Sequence, residues 1–172
     1  MTDDRDGRTY KITTIGNQIW MAENLNFEME NSCCYNDIES YCSKYVRLYT
    51  WENAKKACPS GWHLPTKTEF ETLISTIEGN QYTKGKGLKS TSGWNGGGNG
   101  LDSYSFTALP AGGKYDKDGS EFNDEGNNAY FWSSTDSGGM ASFMVLSYDY
   151  DNVNINVYKT NDVFFSIRCI KD

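Results

Sequence analysis

The sequence is short of histidine, of basic charge and of long apolar runs, and each shortage removes a class of function. His63 is the single histidine in 172 residues. The five cysteines, at 33, 34, 42, 58 and 169, contain no C-x-x-C pair, so a zinc site with its four nitrogen or sulfur ligands is not expected. There is no G-x-S-x-G elbow, and one histidine without a base or nucleophile beside it is weak evidence for catalysis. His63 therefore reads as a structural residue of its turn. Lys and Arg number 16 against 23 Asp and Glu, a net charge of −7. That field repels phosphate backbones and anionic membrane surfaces, which excludes nucleic acid as an expected partner. No apolar run approaches the roughly 18 residues that span a bilayer. The N-terminal MTDDRDGRTY also lacks the apolar centre of a signal peptide, so any targeting segment is expected to lie outside this chain.

What is present is aromatic and turn-rich. Twelve Tyr, five Trp and 17 Gly favour short strands and shaped loops over a helix bundle. The length suits one domain over residues 1–172 with a substantial core, acting as a monomer or as part of a larger surface protein. The cysteines suit disulfides and an oxidising compartment, hence an extracellular or cell-surface location.

The stretch Cys58–Ile77, CPSGWHLPTKTEFETLISTI, carries the strongest structural signal. Thr66 with Glu69 forms a capping box, and Phe70, Leu73, Ile74 and Ile77 then recur at helical spacing. Thr50 is placed to cap a shorter helix bearing Trp51, Ala54 and Cys58 before Pro59 halts it. Gly16-Asn17 predicts a turn between strands Tyr10–Ile15 and Gln18–Met21. CCYNDIESYC reads as a loop stapled by Cys34 and Cys42, with Cys33 the candidate free thiol. Residues 85–100 read as a long irregular loop around Trp94. Near the C-terminus, Val153, Ile155 and Val157 alternate with Asn152, Asn154, Asn156 and Tyr158, predicting one apolar and one exposed polar face. In VFFSIRCI, Val163, Phe165, Ile167 and Cys169 share an inward face opposite Phe164, Ser166 and Arg168. An inward Cys169 and an inward Cys58 invite a bridge across the domain, which stabilises by about 4 kcal/mol in the chain-entropy model.

DRDGRTYKITTIGNQIWMAENLN, RLYTW, CPSGWHLPTKTEFETL, ALPAGG, FWSST and FSIRCIKD, in this order, resemble the Fibrobacter succinogenes major paralogous domain over nearly the whole chain. That family occurs in secreted and surface proteins. It is similar in turn to the C-type lectin-like fold of the formylglycine-generating, sulfatase-modifying group, through Trp62, Leu64, Pro65, Thr66, Glu69 and Phe70 and the closing Phe165, Ser166, Ile167 and Arg168. The resemblance implies an α+β fold of twisted antiparallel strands with two helices and long irregular loops. Formylglycine-generating enzymes use a reactive, copper-holding cysteine pair. Nothing here matches it in place, so an oxidase is the alternative and a non-catalytic module the expectation.

Two candidate sites follow. Asp116, Asp118 and Asp124, with Ser120 and Glu125 around Gly119, resemble the start of a calcium loop without completing it, and a solvated acidic loop is the favoured reading. Tyr148, Tyr150, Asn152, Asn154, Asn156 and Tyr158 form the better lead. Tyrosine combines flat apolar area with a polar tip, and asparagine supplies adaptable hydrogen bonds. Trp94 is either a loop anchor or a further contact residue. The expected function is a ligand-binding module for an external polysaccharide or protein, with a sequence-diversified face or a purely structural envelope role as other readings.

Overall fold

The computed structural model describes residues 1–115 and 121–172. Gly16, with φ of +62°, and Asn17 turn β1 (Ile12–Ile15) into β2 (Gln18–Met21), which pair antiparallel from Ile12 with Met21 to Ile15 with Gln18. Trp20 and Met21 of β2 are fully buried. The chain then forms β3 (Ser32–Cys33), α1 (Glu39–Lys44), β4 (Leu48–Thr50), α2 (Trp51–Ala57), β5 (Trp62–His63), α3 (Lys67–Thr76) and α4 (Lys84–Leu88). The later strands are β6 (Gly113–Lys114), β7 (Phe122–Asn123), β8 (Asn128–Asp136), β9 (Met140–Ser147), β10 (Asn154–Lys159), β11 (Phe164–Phe165) and β12 (Ile170–Lys171). They make three antiparallel sheets in the orders β1-β2-β12-β5, β10-β9-β8 and β3-β4-β11-β6-β7. The protein is thus α+β with short helices.

Helix α3 has the expected capping box: Thr66 Oγ1 accepts from the Glu69 N–H at 3.2 Å, and the Glu69 carboxylate accepts from the Thr66 N–H at 2.7 Å. Such a cap contributes about 1 kcal/mol. Phe70, Leu73 and Ile77 are buried, and Phe70 stacks on Trp20 at 5.5 Å between centroids. Thr50 precedes α2 in extended conformation but makes no side-chain cap bond. Both expected disulfides are present, Cys34–Cys42 and Cys58–Cys169, and Cys33 is free. Burial pushes the Cys33 thiol pKa up to about 11, so it stays protonated and unreactive at neutral pH.

Three expectations need correction. Two helices were expected; among the described residues α1 and α4 are further short ones. Helix α4 forms where an irregular loop was predicted because its glycines permit close packing. A Cβ on Gly85 would lie 2.6 Å from the Asn152 carbonyl oxygen, and one on Gly87 would lie 3.0 Å from the Tyr104 ring. Tertiary contact here overrides poor helix propensity.

The second correction concerns the C-terminal run. Val163, Phe165, Ile167 and Cys169 are buried as predicted, but so are Ser166 and Arg168, which were assigned to the opposite face. Only the ends of the run are strand, β11 and β12, and the segment between threads the interior, with a parallel bridge from Ser166 to Phe131. Arg168 Nη1 donates to the carbonyls of Met21 and Phe106, and Nη2 to the Thr107 carbonyl and Asn24 Oδ1. Its guanidinium lies 4.4 Å from the Phe106 ring centroid. Burial lowers its pKa to about 9, still charged at neutral pH.

The third correction concerns part of β10: Asn154 and Asn156 are exposed and Ile155 half-buried as expected, but Tyr158 is half-buried on the face read as polar and Val157 is exposed. Asn154 pairs with Val145, Asn156 with Phe143 and Tyr158 with Ala141, and directly opposed residues share a face. Tyr130 and Trp132 of β8 are on that face too, opposite Val145 and Phe143. The side read as polar therefore looks onto an aromatic cluster, while Val157, read as core, is 44% exposed. Both faces of β8 and β9 are covered, one by the cluster around Trp132 and Phe165, the other by that around Phe131 and Met144, whereas β10 at the edge has no fully buried residue. Alternation on this edge strand marks inside and outside up to Asn156 and fails at Val157 and Tyr158.

Candidate binding surface

The Tyr/Asn stretch lies in two places. Tyr148, Tyr150 and Asn152 belong to the connection between β9 and β10, whereas Asn154, Asn156 and Tyr158 lie along β10.

The connection is held from beneath by Lys89. This side chain is fully buried, and its Nζ donates to the carbonyls of Ser147 at 3.1 Å and Tyr150 at 3.2 Å and pairs with Asp151 at 2.8 Å. An ammonium with three acceptors at these distances has no donor left unsatisfied. The Gly85 N–H also donates to the Asp151 carbonyl. Gly96 and Gly98 let the neighbouring loop close on Tyr148: a Cβ on Gly98 would lie 2.2 Å from the Tyr148 carbonyl oxygen. Above this anchorage Tyr150 is 65% exposed and Tyr148 37%. Two tyrosines are displayed on a loop whose backbone is already fixed, so a ligand would not have to order it.

Trp94 does not join that display. It is buried, its Nε1 donates to Ser90 Oγ at 3.0 Å, and it packs with Phe106, Phe131 and Leu146. Of its two readings, loop anchor is the one its position supports, because an indole whose N–H has an internal partner is well suited to the core.

On β10, Asn156 and Tyr158 line a recess of about 250 Å³ with Tyr115, Tyr130, Phe143 and Phe165. Tyr115 meets Tyr130, Phe165 and Tyr158 edge to face at 5.6, 5.8 and 6.2 Å, and Tyr130 stacks on Phe165 at 4.7 Å. Behind these rings sits Asp124. Its Oδ2 accepts from the Tyr115 hydroxyl, from the Tyr130 hydroxyl at 2.6 Å and from Asn128 Nδ2 at 2.9 Å. Burial opposes the charge of Asp124, but these three donors outweigh it and hold its pKa below the usual carboxylate value. Both tyrosine pKa values are pushed up, by burial first and then by the carboxylate.

Asp124 is accordingly engaged with two tyrosines and an asparagine. The other two carboxylates proposed for calcium, Asp116 and Asp118, lie outside the described residues. Among the described residues Cys34, Glu39 and Cys42 bring potential metal-ligating atoms together, but both sulfurs are in the disulfide and offer no thiolate.

His63, read as a structural residue, has two acidic partners. Its Nε2 is 2.9 Å from Glu69 and its Nδ1 2.6 Å from Asp172. Burial disfavours the charged ring, yet the hydrogen bonds to Asp172 and Glu69 prevail and raise its pKa. Since Glu69 also caps α3, the histidine locks the helix start onto the last strand, which supports the structural reading.

Sequence reasoning missed Lys89, Tyr115, Phe143, Phe165 and the service Asp124 performs. Lys89, Phe143 and Phe165 are far in sequence from their partners, whereas Asp124 lies within nine residues of Tyr115, Asn128 and Tyr130.

Against known families, the model described as the Fibrobacter succinogenes major domain matches residues 13–171. No curated protein and no solved structure matches the chain. Among the described residues, no helix is long and apolar enough to cross a membrane.

Proposed function

Given that this chain belongs to the Fibrobacter succinogenes major domain family, we propose that it is a non-catalytic extracellular or cell-surface module that binds a polysaccharide or a protein. The observation that carries this reading is the loop held by Lys89, which displays Tyr148 and Tyr150 with no backbone left to order. The two disulfides suit an oxidising compartment. The lectin-like scaffold that the Trp62–Phe70 motif resembles is part of the proposal, as is the absence of catalysis.

Replacing Tyr148 and Tyr150 with Ala should abolish binding on a glycan or surface-protein array while leaving the melting temperature unchanged within error. Undiminished binding by the double variant would rule out the loop. An oxidase of the formylglycine-generating type is the competing reading; Cys58 and Cys169 being bonded to each other argues against a reactive pair. Copper uptake by the protein as isolated would restore that alternative.

A further inference from the structure

We propose that the recess between β10 and Tyr115 is a second binding site, specific for a methylated ammonium group. Tyr115, Tyr130, Phe143, Val145, Phe165, Tyr158 and Asn156 line it, and five of these seven are aromatic. Cations are attracted to the faces of aromatic rings, and clustered rings recognise quaternary ammonium groups because such cations are weakly hydrated and enter apolar surroundings at small desolvation cost. The volume of about 250 Å³ has room for such a head group.

Charge favours the same class. Asp124 lies directly behind the rings, joined to both the Tyr115 and Tyr130 hydroxyls. A phenol that donates to a carboxylate carries more electron density in its ring, which strengthens its attraction for a cation. The chain as a whole bears −7, so a cationic ligand is also drawn in at long range. Lys67, which lines the adjoining groove, is 3.7 Å from Glu71 and so is offset.

A sugar is the less suitable occupant. A pyranose presents hydroxyls around its ring and needs polar groups free to meet them. Here the Tyr115 and Tyr130 hydroxyl protons are already directed to Asp124, and the Asn128 amide donates to Asp124 and to Tyr130. Asn156 and the Tyr158 hydroxyl are the polar groups of the lining left for a ligand.

The test is titration of the intact protein with choline, followed by aromatic-proton NMR, alongside 3,3-dimethyl-1-butanol, which has the same shape without the charge. Choline should saturate with shifts at Tyr115, Tyr130 and Tyr158, and the neutral analogue should bind at least about tenfold more weakly. Tyr158→Leu should weaken choline about tenfold, whereas Tyr158→Phe, which keeps the ring, should not. Asp124→Asn should weaken it; should that variant unfold, Tyr115→Phe, which keeps the ring and breaks one link to the carboxylate, takes its place. Phosphocholine and a trimethyllysine peptide distinguish a head-group source from a protein source, and saturable binding of either upholds the site. Equal binding of the neutral analogue, or no saturable choline binding, overturns it. Tyr148→Ala and Tyr150→Ala should leave choline binding unchanged, so this site and the displayed loop stand or fall separately.

Discussion

Arg168 and Lys89 are both cations with no exposed surface, and the protein surrounds them differently. Arg168 makes no ion pair with a carboxylate among the described residues; three backbone carbonyls and Asn24 hold its guanidinium, with the Phe106 ring against it. Lys89 shares two carbonyls with a carboxylate, Asp151, that is itself 37% exposed. The planar fork of arginine reaches several carbonyls from one fixed position and so can join β2, the 106–107 segment and the last strands deep in the core. The lysine is a point charge and gathers one short loop. A third basic group, His63, a cation when protonated, is partly exposed between Glu69 and Asp172. The partly exposed His63 has two acidic partners and the fully buried pair at most one each, because a buried cation can be stabilised by carbonyl dipoles that cannot leave, while an exposed one competes with water.

The comparison predicts a graded series. Arg168→Leu should have the largest effect, about 3–5 kcal/mol lost in urea denaturation, since four acceptors are left in the interior without a donor. A loss below about 1 kcal/mol would mean those acceptors find other partners, and the contrast with Lys89 would fail. Lys89→Met should cost about 2 kcal/mol, less because Asp151 can turn to water. Amide exchange should rise over 147–151 and remain slow at β8 and β9. If protection is lost throughout, Lys89 serves the whole fold and the two cations are alike.

The smallest effect belongs to His63 and is visible only against pH. Its pKa is raised above 6.5, so its contribution is fully present below about pH 6.5 and fades as pH rises through the folded value. The pKa of Glu69 is lowered below 4.5, burial opposing and the bonds to Thr66 and His63 prevailing. Its contribution is present above about pH 4.5 and fades as pH falls through the folded value. The pair is therefore worth most between about pH 4.5 and 6.5, by a few tenths of a kcal/mol given its exposure. His63→Gln should flatten the melting-temperature profile in that window. An unchanged profile would show that water screens the pair completely.

Features set by residues close together were legible. The capping box of α3 spans four residues, the β1–β2 turn rests on Gly16 and Asn17, and the Cys34–Cys42 bridge closes a short loop. The Cys58–Cys169 bridge was readable because a helix end and a strand alternation each pointed a cysteine inward. Alternation failed where a segment has neighbours on both sides. Asn156 and Tyr158 look polar in sequence, yet they line an aromatic recess because β9 places Phe143 beside them. Trp94 could be read from sequence as loop anchor or contact residue, and its glycine-rich loop folds back and buries it. Tyr150 was read as exposed and is, but nothing local announced that Lys89 holds its loop.

The sequence by itself determined the family, the capped helix and the hairpin, since each rests on local backbone chemistry or on a motif of fixed spacing, and it pointed to the cysteine pairs that join. Tertiary structure alone decided which cations are buried, which tyrosines are displayed and where β10 meets the rings of Tyr130, Phe143 and Phe165. Those outcomes depend on segments distant in the chain arriving at one place, and burial and charge there are properties of the assembled surroundings, which no single segment carries.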